Sequence, residues 1–161
     1  MTLVWLAIGS NLGDRETNLR VALQQLQEPR LRLRRTSTIR ETESVGAPTK
    51  TAYLNLVAEF ETELFPLQLL RHCLSVECQL GRRRLGANTP RTIDIDLVLM
   101  GAIRMQTAEL TIPHPRYHLR RFVLEPLAEL VPELRDPATG RTIRQMLGGQ
   151  QPPVHPTLAL S

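Results

Sequence analysis

Twice along this chain a strand-type apolar run gives way to a helical stripe and then to another strand-type run, and that alternation limits the folds open to it. Leu3 to Ile8 is continuously apolar, as suits a central strand covered on both faces. Gly9-Ser10-Asn11 reads as a turn, Asp14 as a helix N-cap, and Leu19, Ala22, Leu23 and Leu26 as the stripe of the helix that follows. Leu31 and Leu33 alternate with Arg32 and Arg34, the pattern of an exposed edge strand running towards Ile39. The second round opens at Tyr53. Leu54, Leu56, Ala58 and Phe60 share one face there, and Tyr53, Asn55, Val57 and Glu59 share the other. Pro66 starts a helix striped by Leu67, Leu70, Leu74 and Glu77 and ended by Gly81. Ile93, Ile95, Leu97 and Leu99 then recur with period two, which predicts a strand across 90–99.

Strand, helix, strand, strand, helix, strand makes two βαβ units on a mixed or mostly antiparallel sheet, with helices mainly on one side. That is the ferredoxin-like α+β plan. Leu124 to Leu134 and Ile143 to Leu147 are expected as extra short helices on the back of the sheet. At 161 residues the chain is sized for one domain, expected over 1–147, with a loose Gly/Gln/Pro-rich tail at 148–161.

The period-two run carries the chemistry. Alternation sends Asp94 and Asp96 to the face opposite the isoleucines, roughly 6–7 Å apart along the strand. Parallel carboxylates repel unless a cation lies between them, and Mg²⁺ favours one or two carboxylates completed by water and substrate phosphates. A solvent-facing polar edge is the plainer explanation of the same spacing. Arg82, Arg83, Arg84 and Arg91 beside the pair favour a metal–polyphosphate complex. Any single arginine weighs little, because Lys50 is the only lysine among 20 basic residues. The net charge of +4 suits an anionic ligand, without the dense basic patch of a dedicated nucleic-acid binder.

Tyr53 and Asn55 are strand-face neighbours just after a long polar loop, Glu41 to Thr51, whose length suits a functional lid. An aromatic plate beside an amide fits a flat, hydrogen-bonding heterocycle, although a Tyr at the core edge and an Asn closing a turn would look the same. Glu77 is out of place on an apolar stripe unless it has a partner. His114 and His118 are four apart, but Pro115 in the first helical turn would leave His114 outside, so phosphate contact is the better reading than zinc. Gly9 to Gly13 lacks the Gly-Lys-Ser/Thr ending of a phosphate loop. Cys73 and Cys78 form no CxxC motif and read as reduced thiols in a cytoplasmic protein. No apolar run is long enough to span a bilayer. The pattern alone leaves three functions open: a phosphoryl-transfer enzyme, a metal-dependent nuclease on the Asp pair, and an RNA-binding ferredoxin-like module that lacks the aromatic RNA-binding signature.

Five segments then occur together and in order: Ala7-Ile8-Gly9-Ser10-Asn11-Leu12-Gly13-Asp14, Tyr53-Leu54-Asn55, Glu77 with Gly81-Arg82, Pro90-Arg91-Thr92-Ile93-Asp94-Ile95-Asp96-Leu97, and Pro113-His114 followed by Arg120-Arg121-Phe122. As a set they resemble the hydroxymethyl-dihydropterin pyrophosphokinase family of folate biosynthesis. The resemblance implies transfer of pyrophosphate from ATP to 6-hydroxymethyl-7,8-dihydropterin, releasing AMP, by a cytoplasmic monomer with no nucleic-acid or membrane partner. It further implies that Asp94 and Asp96 hold two Mg²⁺ ions. Tyr53 and Phe122 would stack on the pterin, while Asn55, Thr42 and Val45 would bond its edge. Arg82 and Arg91 would join the aspartates as catalytic residues, and with Arg84, His114 and Arg120 would clamp phosphates. Glu77, Leu97 and Thr111 would lie nearer the nucleotide. The chain departs from the family pattern at Asn88 and Thr89, where Trp-Gly is common, at Pro115, and at Leu74 and Glu109, where some members carry polar or basic groups.

Overall fold

The computed structural model describes residues 1–42, 52–81 and 92–150. The central strand is β1 (Thr2–Ser10), flanked antiparallel by β4 (Tyr53–Thr62) and β5 (Asp94–Met100). β2 (Leu31–Thr36) pairs with the far edge of β4, giving the order β2-β4-β1-β5. β1 and β2 are therefore parallel with β4 between them, and β4 and β5 are parallel with β1 between them. Helices α1 (Arg15–Leu26) and α2 (Pro66–Gln79) make the two crossovers. This is the ferredoxin-like arrangement expected from the alternation.

Local chemistry sets the helix ends. The Asp14 side chain accepts from the Thr17 amide at 3.2 Å, capping α1. Pro66 supplies the first residue of α2, and the Gln68 side chain reaches back to the Phe65 amide at 2.9 Å. The chain leaves α2 through Gly81 at φ 85°, a conformation that side-chain-bearing residues resist.

The sheet is covered on both faces. On one, Leu19, Ala22 and Leu26 of α1 and Leu69, Cys73 and Val76 of α2 pack on Val4, Leu6, Ile8, Leu56, Ala58 and Phe60. On the other, α3 (Arg121–Leu130) and α4 (Ile143–Gly148) place Val123, Leu124, Leu127, Ile143 and Met146 over Trp5, Val57, Val98 and Leu99. Each buried Val, Leu, Ile, Phe or Met among them contributes about 1.5–3 kcal/mol by leaving water.

Several details differ from the sequence expectations. Gly9 and Ser10 do not turn the chain but finish β1. The edge strand stops at Thr36, and a separate short strand, β3 (Arg40–Thr42), continues the pairing with β4. β5 carries a bulge where Trp5 faces Leu99 but Leu6 faces Leu97, so Leu99 joins Val98 on the α3 side instead of Ile95 and Leu97. The buried stripe of α2 is Leu69, Cys73, Val76 and Glu77, while Leu74 is 37 % exposed. The first helix on the back begins at Arg121 and ends at Leu130. Gly148, expected as the start of the tail, is the last residue of α4. A two-stranded ribbon, β6 (Met105–Gln106) with β7 (Thr111–Ile112), precedes a single 3-10 turn at Tyr117–Leu119.

Candidate active site

The end of β1 places the site. Gly9 stands opposite Asn55 on one side and Asp94 on the other, and Ala7 stands opposite Val57 and Asp96 in the next row on that face. Directly opposed residues in antiparallel strands point to the same face. The result is a trough whose floor is the two smallest side chains available, with Tyr53 and Asn55 along one wall and Asp94 and Asp96 along the other. Gly9 is required by this packing. A Cβ there would lie 2.9 Å from Asn55 Oδ1 and 3.5 Å from Tyr53 Cδ1, so the amide crosses directly over the glycine. Asn55 Nδ2 donates to Thr42 Oγ1 at 2.7 Å, which orients the amide and joins β3 to the site.

Helix α3 covers the same face further along β4, so its first turn borders the trough. Phe122, in that turn, is 41 % exposed, and the Arg120 guanidinium stands 5.8 Å from its ring centroid. Arg120 also turns to Asp96, Nη1 to Oδ2 at 3.9 Å. The Asp pair is therefore not the isolated repulsive couple that spacing suggested. A polar clamp sets α3 against β3: Arg40 Nη1 meets Glu125 at 3.1 Å and Nη2 meets Glu129 at 3.2 Å. Glu129 also accepts from the amide and hydroxyl of Thr38, at 2.9 and 2.8 Å.

Beyond Asp96 lies a second recess, a cavity of about 220 Å³ lined by Leu70, Ile95, Asp96, Leu97, Thr107 to Thr111, His114 and Pro115. It brings Leu97, Thr111 and His114 to one place beside the aspartate. Burial holds the His114 imidazole below its usual pKa, and Arg120 and Arg116 push the same way against Asp94, which favours the charged ring. The sequence offered no signal for Leu70, Thr107 or Ala108 as lining residues, since only the meeting of α2 and the β6–β7 ribbon beside β5 gathers them.

Glu77 is 2 % exposed and lies under this wall. Its Oε2 accepts from the Ile95 amide at 2.7 Å, between the two aspartates. Among the described residues no group of three or more His, Cys, Asp or Glu side chains could hold a metal by itself. Two half-exposed carboxylates on one wall nevertheless fit Mg²⁺, a hard cation that takes water and substrate phosphate oxygens for its other positions. Val45, Arg82, Arg84 and Arg91 lie outside the described residues, as do the remainder of the 43–51 loop, residues 83 and 85–90, and 151–161.

The comparisons with known proteins bear on nearly the whole chain. The family model described as 7,8-dihydro-6-hydroxymethylpterin-pyrophosphokinase (HPPK) matches residues 5–132. The chain is 40 % identical over 138 residues to the 2-amino-4-hydroxy-6-hydroxymethyldihydropteridine pyrophosphokinase of Bacillus subtilis, covering 85 % of this chain and 83 % of that one. It is 37 % identical over 141 residues to the protein of the same name from Synechocystis, covering 87 % and 72 %. Among solved structures, Plasmodium falciparum HPPK-DHPS with SDX-DHP superposes with a TM-score of 0.71 at 15 % identity, covering 92 % of this chain and 43 % of that one. That last likeness concerns the fold.

Proposed function

The chain belongs to the 7,8-dihydro-6-hydroxymethylpterin-pyrophosphokinase family, and from that premise we propose how its trough carries out the family's reaction. The enzyme transfers pyrophosphate from ATP to 6-hydroxymethyl-7,8-dihydropterin, a step of folate biosynthesis. The hydroxyl oxygen of the pterin alcohol bonds to the β-phosphorus of ATP. The bond from that phosphorus to the α-phosphate oxygen breaks, AMP leaves, and the hydroxyl proton is lost. Protein chemistry is not consumed in such a step, so the protein's share is placement in line and charge matching.

The observation that carries the placement is the row Asn55–Gly9–Asp94 across β1. On the Asn55 side the amide, held by Thr42, reads the edge of the heterocycle, and Tyr53 and Phe122 offer ring faces to it. By the family resemblance Val45, outside the described residues, would be a further edge contact. On the Asp94 side, Asp94 and Asp96 would hold Mg²⁺, two ions in this reading, which when bound neutralises phosphate charge. Arg120, already leaning on Asp96, would meet the triphosphate there, and the family resemblance assigns Arg82, Arg84 and Arg91, outside the described residues, to phosphate contact as well. The nucleoside enters the cavity of Leu97, Thr111 and His114. His114, whose burial disfavours the charged ring, would offer a ring nitrogen to the nucleotide. The reading extends to a monomer acting in the cytoplasm without a nucleic-acid partner. Among the described residues no helix is long and apolar enough to cross a membrane.

Release of AMP from ATP by the purified chain, with and without the pterin alcohol and Mg²⁺, tests the reaction. Asp96→Asn tests the site. Losing one carboxylate at the point of charge transfer removes several kcal/mol, so the rate is expected to fall about 10³-fold or more. Its melting temperature without ligands should stay close to wild type, because relief of Asp94–Asp96 repulsion offsets the weakened Arg120 contact. Turnover by Asp96→Asn within a few-fold of wild type would overturn the metal assignment.

A further inference from the structure

Glu77 is the only charged residue on the buried stripe of α2, among Leu69, Cys73 and Val76. A carboxylate there is costly unless it is hydrogen-bonded. β5 is the edge of the β2-β4-β1-β5 path, and amides on the outer side of an edge strand have no strand to bond. Glu77 Oε2 takes one of them, the Ile95 amide at 2.7 Å, and Ile95 is the residue between Asp94 and Asp96. On its other side Ile95 faces Ile8 of β1. The mid-point of the aspartate wall is therefore fixed from both flanks, by the ladder and by α2. Cys73, one turn earlier on the same stripe, is buried in the core that α2 shares with Ile95 and Leu97. Helix α2, Glu77 and the Asp wall thus form one contiguous unit.

We propose that Glu77 is a positioning residue for the pyrophosphoryl transfer: it tethers edge strand β5 at Ile95 so that Asp94 and Asp96 keep one setting, and it does not itself contact the nucleotide. Leu70, from the same helix, is the residue of α2 that lines the nucleotide cavity. The proposal rests on the reading of Asp94 and Asp96 as holders of the metal–triphosphate complex.

Three variants of the full chain separate the tether from other roles. Glu77→Gln keeps an acceptor for the Ile95 amide and loses the charge. Glu77→Leu fills the space without an acceptor, and Glu77→Asp keeps the charge but draws the acceptor back. Partners that orient metal-holding groups cost about 10–100-fold in metal affinity or activity when removed, so Glu77→Leu and Glu77→Asp should lower kcat and raise the Mg²⁺ concentration for half-maximal rate by that order. Glu77→Gln should stay within about threefold of wild type on both, and KM for the pterin should hold in all three. Wild-type kcat and Mg²⁺ dependence in Glu77→Leu would overturn the proposal. So would Glu77→Gln failing as badly as Glu77→Leu, or a rise in KM for ATP alone, which marks a nucleotide contact. If Glu77→Leu does not fold, Glu77→Asp decides in its place, and wild-type behaviour there overturns the tether. Asp96→Asn run alongside keeps the two readings distinct: an active Asp96→Asn removes the metal assignment, while an inactive one beside an unaffected Glu77→Leu removes only the tether.

Discussion

Gly9→Ala is a one-carbon change with a calculable consequence. The new Cβ would come within 2.9 Å of Asn55 Oδ1, a distance carbon and oxygen do not tolerate, so the amide must swing away from the floor of the trough. Swinging breaks the 2.7 Å bond to Thr42 Oγ1, worth about 0.5–1.5 kcal/mol. Against that, alanine in a strand is about 0.5–1 kcal/mol better than glycine. The two nearly cancel, so the melting temperature should move by no more than about 4 °C. Binding has no such compensation. A pterin edge left without its amide partner loses about 1–3 kcal/mol, or roughly 5- to 150-fold in affinity. Calorimetry with the pterin alcohol and a non-hydrolysable ATP analogue, beside a thermal melt, reads all three quantities. Pterin affinity within twofold of wild type would refute the reasoning, and so would an equal loss for the nucleotide.

Three further expectations follow from the same geometry. Phe122→Ala removes a ring that is already 41 % exposed, so stability should change little while pterin affinity, measured by calorimetry, falls roughly tenfold or more, the worth of about 1–3 kcal/mol of stacking. Buried Cys73, with its thiol pushed up to about 12, should resist a thiol-specific reagent in the native protein, where exposed Cys78 reacts. One fast thiol per chain natively and two in denaturant is the expected titration, and two fast native thiols would contradict the packing of α2. The lowered pKa of His114 means the unfolded chain binds a proton there more readily than the native one, so stability should rise with pH from the native pKa up to about 6.5 and then level. Denaturant melts of wild type and His114→Gln across that window check the sign, since the variant should show the shallower slope.

The strand–helix alternation was legible because each period is written in long apolar runs, and the Asp pair because a strand has period two. Gly9 was not. Gly-Ser-Asn has the composition of a turn, and only the crossing of Asn55, forty-six positions on, explains a glycine inside a strand. Leu99 lies on the face opposite to the one its spacing predicts because a bulge adds one residue and inverts every later alternation, without any local mark in the Leu97-Val98-Leu99 run. In α2, leucines at 67, 69, 70 and 74 support more than one stripe, and the packing of α1 and β5 selected the one through Leu69. Glu59 hid for a different reason. A charged residue in a strand reads as solvent-facing, yet it is buried at 2 % exposure because Trp5 Nε1 and Arg35 reach it from neighbouring strands. Contacts such as Arg120 with Asp96 join segments whose meeting is set by how α3 docks, which no spacing encodes.

Because Asn55 and Asp94 flank Gly9 on successive strands, the sheet itself acts as a gauge. Two strand spacings, about 10 Å, separate Asn55, the group proposed to read the heterocycle, from Asp94, the first carboxylate of the proposed phosphate wall. Backbone hydrogen bonds set that span, so exchange of side chains leaves it unchanged. The reach of the acceptor alcohol is thereby measured against a fixed length. An arm longer or shorter by about 1 Å would carry its oxygen past the attack position, an error that costs on the order of 10²-fold in rate. Tolerance for arm length, read as kcat across a series of pterin alcohols, is on this view a property of the β-ladder and not of any one residue along it.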